Sequence, residues 1–103
     1  MLIVGFLSLL SFPMFAQLQP TEIKVIDAEN GNSIEFAAVQ WKGLNAPTYT
    51  NGTTTNRKGI AKLSASSNQK LMLMVSYVGY QTITDMITAN GMRYTIRLLP
   101  EST

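Results

Sequence analysis

The chain of 103 residues contains neither cysteine nor histidine. It therefore has no disulfide, no thiol nucleophile, no thiolate or imidazole metal ligand, and no side chain whose ordinary pKa lies near neutrality. Most enzyme classes are disfavoured by those two absences alone. Charge is sparse as well: eight Lys+Arg stand against six Asp+Glu, 14% of the residues, for a net charge of +2. Nucleic-acid binding rests on neutralising a row of phosphates, and no dense basic run is present to do so. Nucleic acid is accordingly not an expected partner, and no cofactor is expected either. The strongest apolar run, residues 1–12 (MLIVGFLSLLSF), falls short of the ~20 residues that a bilayer-spanning helix needs. A chain of this length holds one small domain.

What is present divides into two parts. Residues 1–21 carry no charge, and every Asp, Glu, Lys and Arg lies from Glu22 onward. An apolar core of about a dozen residues, stopped by Pro13 and followed by Met14, Phe15, Ala16 and Gln17, has the length of a secretory signal. Cleavage after a small residue points to Ala16, so the expectation is a signal peptide over residues 1–16 and a domain over residues 17–103. A retained membrane anchor and a buried N-terminal strand are the alternatives.

The remainder is rich in Thr, Ser, Asn and Gly, with Asn-Gly at Asn30-Gly31, Asn51-Gly52 and Asn90-Gly91 and a further turn signal at Arg57-Lys58-Gly59. Between these signals the apolar residues alternate with period two, as strands require. Residues 22–28 place Ile23 and Val25 on one face, and residues 36–42 place Ala37, Val39 and Trp41 together, so Trp41 is expected to be buried. Residues 53–55 and 60–63 flank a turn and are expected to form a hairpin. Residues 71–78 (LMLMVSYV) are apolar almost throughout, which fits a strand within a sheet. Residues 80–87 form a weaker strand, and residues 92–98 set Met92, Tyr94, Ile96 and Leu98 against Arg93, Thr95 and Arg97. Short strands separated by turns predict an all-β sandwich of two stacked sheets.

Several segments together resemble a known family. These are Val25-Ile26-Asp27-Ala28, Ser33-Ile34-Glu35-Phe36-Ala37-Ala38-Val39, Gly52-Thr53-Thr54-Thr55-Asn56-Arg57-Lys58-Gly59, Leu73-Met74-Val75-Ser76-Tyr77-Val78-Gly79-Tyr80 and Tyr94-Thr95-Ile96-Arg97-Leu98. They are similar to the carboxypeptidase-regulatory-like domain, in the form that precedes SusC-type TonB-dependent outer-membrane receptors. The resemblance implies a seven-strand Greek-key, transthyretin-like sandwich. It departs from the family at Asn56, where Asp is usual, and at Ala61, where Phe is frequent; Trp41 or the methionines are expected to take up the missing volume. It also implies a non-catalytic module on the periplasmic side of a Gram-negative outer membrane. Its implied partners are receptor or transport components: plug, barrel and the periplasmic TonB system. The alternative is a free-standing exported module that binds a glycan or protein, or acts as a spacer. The same fold hosts a purine-pathway hydrolase whose site depends on histidines, and this chain has none.

Candidate sites follow from the strand pattern. Met72 and Met74 face away from Leu71 and Leu73, and form a candidate contact patch unless the protein's own loops cover them. Val75-Ser76-Tyr77-Val78-Gly79-Tyr80 reads as a core strand ending in a bend at Gly79, or as an aromatic ligand platform. Arg93, Arg97 and Lys24 read as a solvated outer face, or as a basic stripe for anionic lipid or glycan. Asp27, Glu29 and Glu35 are too dispersed for a calcium site, which takes six to eight oxygens. Asn51-Gly52-Thr53 fits a glycosylation acceptor, but a turn explains it more simply.

Overall fold

A computed structural model describes residues 19–65 and 67–102. The signal peptide expected over residues 1–16 lies outside the described residues. Seven strands follow one another: β1 (Thr21–Asp27), β2 (Ala38–Gly43), β3 (Asn51–Thr54), β4 (Ile60–Leu63), β5 (Gln69–Ser76), β6 (Ile83–Ala89) and β7 (Arg93–Leu98). They form a three-stranded sheet in the order β4-β1-β7 and a four-stranded sheet in the order β3-β2-β5-β6. All pairings are antiparallel except β1 with β7, which is parallel. There is no helix among the described residues.

The core follows from the period-two pattern. In β1 buried positions alternate with half-buried ones, so Ile23 and Val25 point inward while Glu22, Lys24 and Ile26 point outward. The same alternation in β5 buries Leu71, Leu73 and Val75 and leaves Met72 and Met74 half-buried on the other face. Beside them on β2 in the same sheet, Val39 and Trp41 are buried, with Trp41 4% exposed and in register with Leu73. Ile96 and Leu98 of β7 close the core from the first sheet. Tyr77, Tyr80, Ile83 and Tyr94 pack around it, partly buried.

Three expectations are corrected. Residues 51–63 do not form a hairpin: β3 pairs with β2 in one sheet and β4 with β1 in the other, so the intervening turn carries the chain across the sandwich. Strand β3 has no apolar residue and lies exposed at a sheet edge, whereas β4 must bring Ala61 and Leu63 into the core. Asn51-Gly52 is not a turn but part of β3, with Gly52 opposite Gln40. Met92 precedes β7 and is exposed, so the buried face of that strand begins only at Tyr94. Ala61 is buried as the core stands, with Trp41 a member of that core; no methionine among the described residues belongs to it.

The crossing between sheets is fixed by one threonine and one turn. Thr55, 1% exposed, donates its hydroxyl to the Ile34 carbonyl (2.6 Å) and accepts from the Ala37 amide (2.9 Å). The backbones also bond in both directions, Phe36 N–H to Thr55 C=O and Thr55 N–H to Ala37 C=O. In the turn that follows, the Asn56 side-chain oxygen accepts from the amides of Lys58 (2.9 Å) and Ile60 (3.0 Å). Asparagine thus does what an aspartate acceptor would do at this position. Gly59 is required by both conformation and space: its φ is +77°, and a Cβ there would lie 2.7 Å from the Val25 carbonyl oxygen.

Candidate functional site

Two groups of apolar side chains stand out on the surface, apart from the singly exposed Leu44, Met92 and Leu99. One is the outer face of the four-stranded sheet. Antiparallel register sets Met72 between Lys42 and Met86, and Met74 between Gln40 and Thr84. Met72 and Met74 are half-buried by these neighbours and Met86 is exposed. The patch expected at Met72 and Met74 is therefore outward-facing, and β6 extends it by a third methionine. Met86 was not legible in the sequence, because only the register of β5 with β6 sets it beside Met72.

The other feature lies at one end of the same sheet and was missed from sequence. Phe36 is 65% exposed and Val78 83% exposed, and with Ala38, Ser76 and Tyr77 they line an open depression of about 470 Å³. Phe36 has a φ of +68°, a left-handed conformation that a bulky side chain rarely adopts. Its cause is the corner held by Thr55, which bonds the backbone on both sides of Phe36 and turns the ring outward. The apolar run of residues 71–78 places Val78 in the preceding strand, but β5 ends at Ser76. Val78 falls instead in the turn closed by Tyr80 N–H to Tyr77 C=O (3.0 Å), where Gly79 has φ +86° and makes the bend expected of it.

Behind this rim sits an ionisable pair. Asp27, 6% exposed at the end of β1, accepts on Oδ1 from the Glu29 and Asn30 amides (2.7 and 3.1 Å) and on Oδ2 from the Tyr80 hydroxyl (2.7 Å). The Tyr80 hydroxyl, helped by the Glu29 and Asn30 amides, holds the Asp27 carboxyl below its ordinary value although burial opposes this. The same bond, with burial and the nearby negative charge, pushes the Tyr80 phenol up. Tyr80 also stacks obliquely against Tyr77, ring centroids 5.9 Å apart, and pairs by its backbone with Pro100. Asp27 is thus committed to a turn and a tyrosine, not gathered with Glu29 and Glu35 around an ion; among the described residues no three Asp or Glu side chains could hold a metal. A second hollow of about 410 Å³, at the opposite end, is lined by Thr21, Ser64, Asn90 and other uncharged residues.

The architecture, an antiparallel four-stranded sheet stacked on a mixed three-stranded one, is that of a transthyretin-like sandwich. The solved structure of 5-hydroxyisourate hydrolase from Klebsiella pneumoniae shares it, with a TM-score of 0.61 over 82% of this chain and 93% of that chain, at 13% identity. That likeness concerns the fold. A family model described as the CarboxypepD_reg-like domain matches residues 24–103, and the chain belongs to that family. A comparison with curated proteins returns no match.

Proposed function

We propose that the protein is a non-catalytic, exported contact module, of the kind that extends a TonB-dependent, SusC-like outer-membrane receptor into the periplasm. The family match over residues 24–103 carries this reading. Two features support the non-catalytic part. The chain has no histidine or cysteine, and neither hollow is lined by a carboxylate or an amine among the described residues. The hydroxyls that line them, such as Ser64, Ser67 and Ser76, have no carboxylate, amine or imidazole in the lining to activate them as nucleophiles. The export part rests on the uncharged apolar run that ends at Ala16.

In this reading the sandwich is a rigid spacer that offers Met72, Met74 and Met86 to a plug or barrel surface. Methionine suits such contacts because its flexible thioether adapts to irregular partners. The deciding experiment is sequencing of the transcript around this reading frame. A TonB box and plug sequence joined to the domain supports the receptor reading, and a transcript without them overturns it. Turnover of 5-hydroxyisourate, peptide or glycoside by purified protein would overturn the non-catalytic part. Mass spectrometry of exported protein, expected to show an N-terminus within about two residues of Gln17, tests the signal; an intact Met1 removes it.

A further inference from the structure

The outer face of the three-stranded sheet is as unlike the methionine face as the fold allows. Eight residues point outward from it: Ile60 and Lys62 on β4, Glu22, Lys24 and Ile26 on β1, and Arg93, Thr95 and Arg97 on β7. Four are cationic and one is a carboxylate. Glu22 is satisfied by Arg93, at 2.9 Å, so the pair cancels. The Lys24 ammonium donates only to neutral oxygens, Ser33 Oγ (3.1 Å) and the Lys58 carbonyl (2.8 Å). The side chains of Lys62 and Arg97 are exposed and make no hydrogen bond or ion pair among the described residues.

Register places these three uncompensated charges on a diagonal. Lys62 lies in the row of Glu22 and Arg93, Lys24 in the row of Ile60 and Thr95, and Arg97 in the row of Ile26. One strand across and two residues along is a step of about 8 Å, which is close to the screening length at physiological salt. The three charges therefore act together on an opposing anion layer. Arg57 and Lys58, exposed on the turn whose carbonyl Lys24 grips, add to the same edge.

We propose that this face docks the protein on a membrane surface bearing anionic phospholipid headgroups. Charge complementarity and shape select that occupant. The charges are spread in two dimensions across three strands and do not line a groove that a polymer could follow. The face carries no aromatic side chain on which a nucleobase or sugar could stack. It also lacks the Trp or Tyr anchors around which protein interfaces concentrate their affinity. A plane of fixed negative charge needs none of these, since each Lys or Arg near it contributes by itself. The inference is independent of whether a receptor barrel accompanies the domain, because it uses the sheet opposite the methionine patch. Bound this way, the sandwich would turn Met72, Met74 and Met86 away from the bilayer.

The test is sedimentation of the full chain with vesicles of phosphatidylcholine alone and of phosphatidylcholine mixed with phosphatidylglycerol. The uncharged residues 1–18 are common to every variant, and the phosphatidylcholine vesicles measure their share. Expected is added binding to the anionic vesicles that disappears at molar salt. Lys62→Ser with Arg97→Ser should weaken that added binding roughly 25-fold, about fivefold for each cation removed. Lys42→Gln with Lys70→Gln removes the same net charge from the opposite sheet and should leave it nearly unchanged. Equal loss in both double variants would show that net charge and not this face is responsible, and would overturn the proposal. So would binding that is indifferent to phosphatidylglycerol, or tighter retention by a polyanionic glycan or nucleic acid than by the vesicles. Far-UV circular dichroism on each variant confirms that the sheets are intact.

Discussion

Leu73 and Met74 are neighbours in β5, yet the sandwich predicts very different costs for truncating them. Leu73 is fully buried, in register with Trp41 on one side and Asp85 on the other. Leu73→Ala removes three carbons, about 0.8 kcal/mol each in lost burial, and leaves a cavity that adds to the cost, for about 3–4 kcal/mol in total. Met74 faces outward and half-buried beside Gln40 and Thr84, so Met74→Ala should cost less than about 1 kcal/mol. The assay is equilibrium urea unfolding followed by fluorescence of Trp41, the single tryptophan, which sits directly across from the substitution. With an m-value near 1 kcal/mol/M for a small domain, Leu73→Ala should lower the midpoint by about 3 M and Met74→Ala by less than about 1 M. Circular dichroism provides a second probe, because the environment of Trp41 itself changes in the first variant. Equal shifts for the two variants would refute the assignment of faces, and with it the outward placement of the methionine patch.

Other outcomes follow from single contacts. Thr55→Val keeps the shape but orphans the Ala37 amide and the Ile34 carbonyl, and should cost about 1–3 kcal/mol for each buried group left unpaired, read from the same urea curves. Gly59→Ala forces a Cβ toward the Val25 carbonyl at φ +77° and should lower the melting temperature, whereas Gly79→Ala, with open space around it, should suffer only from its positive φ. The Asp27 carboxyl titrates in the fold below its ordinary 3.8, so its stabilisation is complete above that value and is lost as pH falls through the lowered one. Tyr80→Phe should therefore move the acid-unfolding midpoint upward. The Tyr80 phenol is raised above 10.0, so its share is complete below pH 10 and is lost as pH rises through the raised value; in wild-type protein, tyrosine absorbance should include a phenol that ionises above that ordinary value, a signal absent from Tyr80→Phe.

The strands and their buried faces were legible because the information is local. Alternation of side chains along β1, β2 and β5 is set by backbone geometry, so Ile23, Val25, Val39, Trp41, Leu71, Leu73 and Val75 could be assigned inward without knowing any partner strand. The outward placement of Met72 and Met74 came from the same rule. The family resemblance rested above all on Val75-Ser76-Tyr77-Val78-Gly79-Tyr80 and less on the Gly52-Thr53-Thr54-Thr55 segment, and the match over residues 24–103 agrees with it.

Pairing was not local, and the tertiary structure alone decided it. Residues 51–63 read as a hairpin because two short strands flank a turn. Which sheet each strand joins depends on edge hydrogen bonds offered by β1 and β2, and the β1 partners of β4 lie 36 to 42 residues away in sequence. The Asn51-Gly52 turn signal lost to that pairing. Alternation already sets Phe36 on the outward face with Ala38, Gln40 and Lys42, but its left-handed backbone was not legible, because the Thr55 hydroxyl that bonds on both sides of it comes from 18 to 21 residues away. The Asp27–Tyr80 bond spans 53 residues and the Glu22–Arg93 pair 71. The basic diagonal likewise exists only because β4, β1 and β7 lie side by side in one register. A sequence states which way each side chain leaves its own strand; which strands lie next to one another is settled by closing long loops around a shared core, and that is a property of the whole chain.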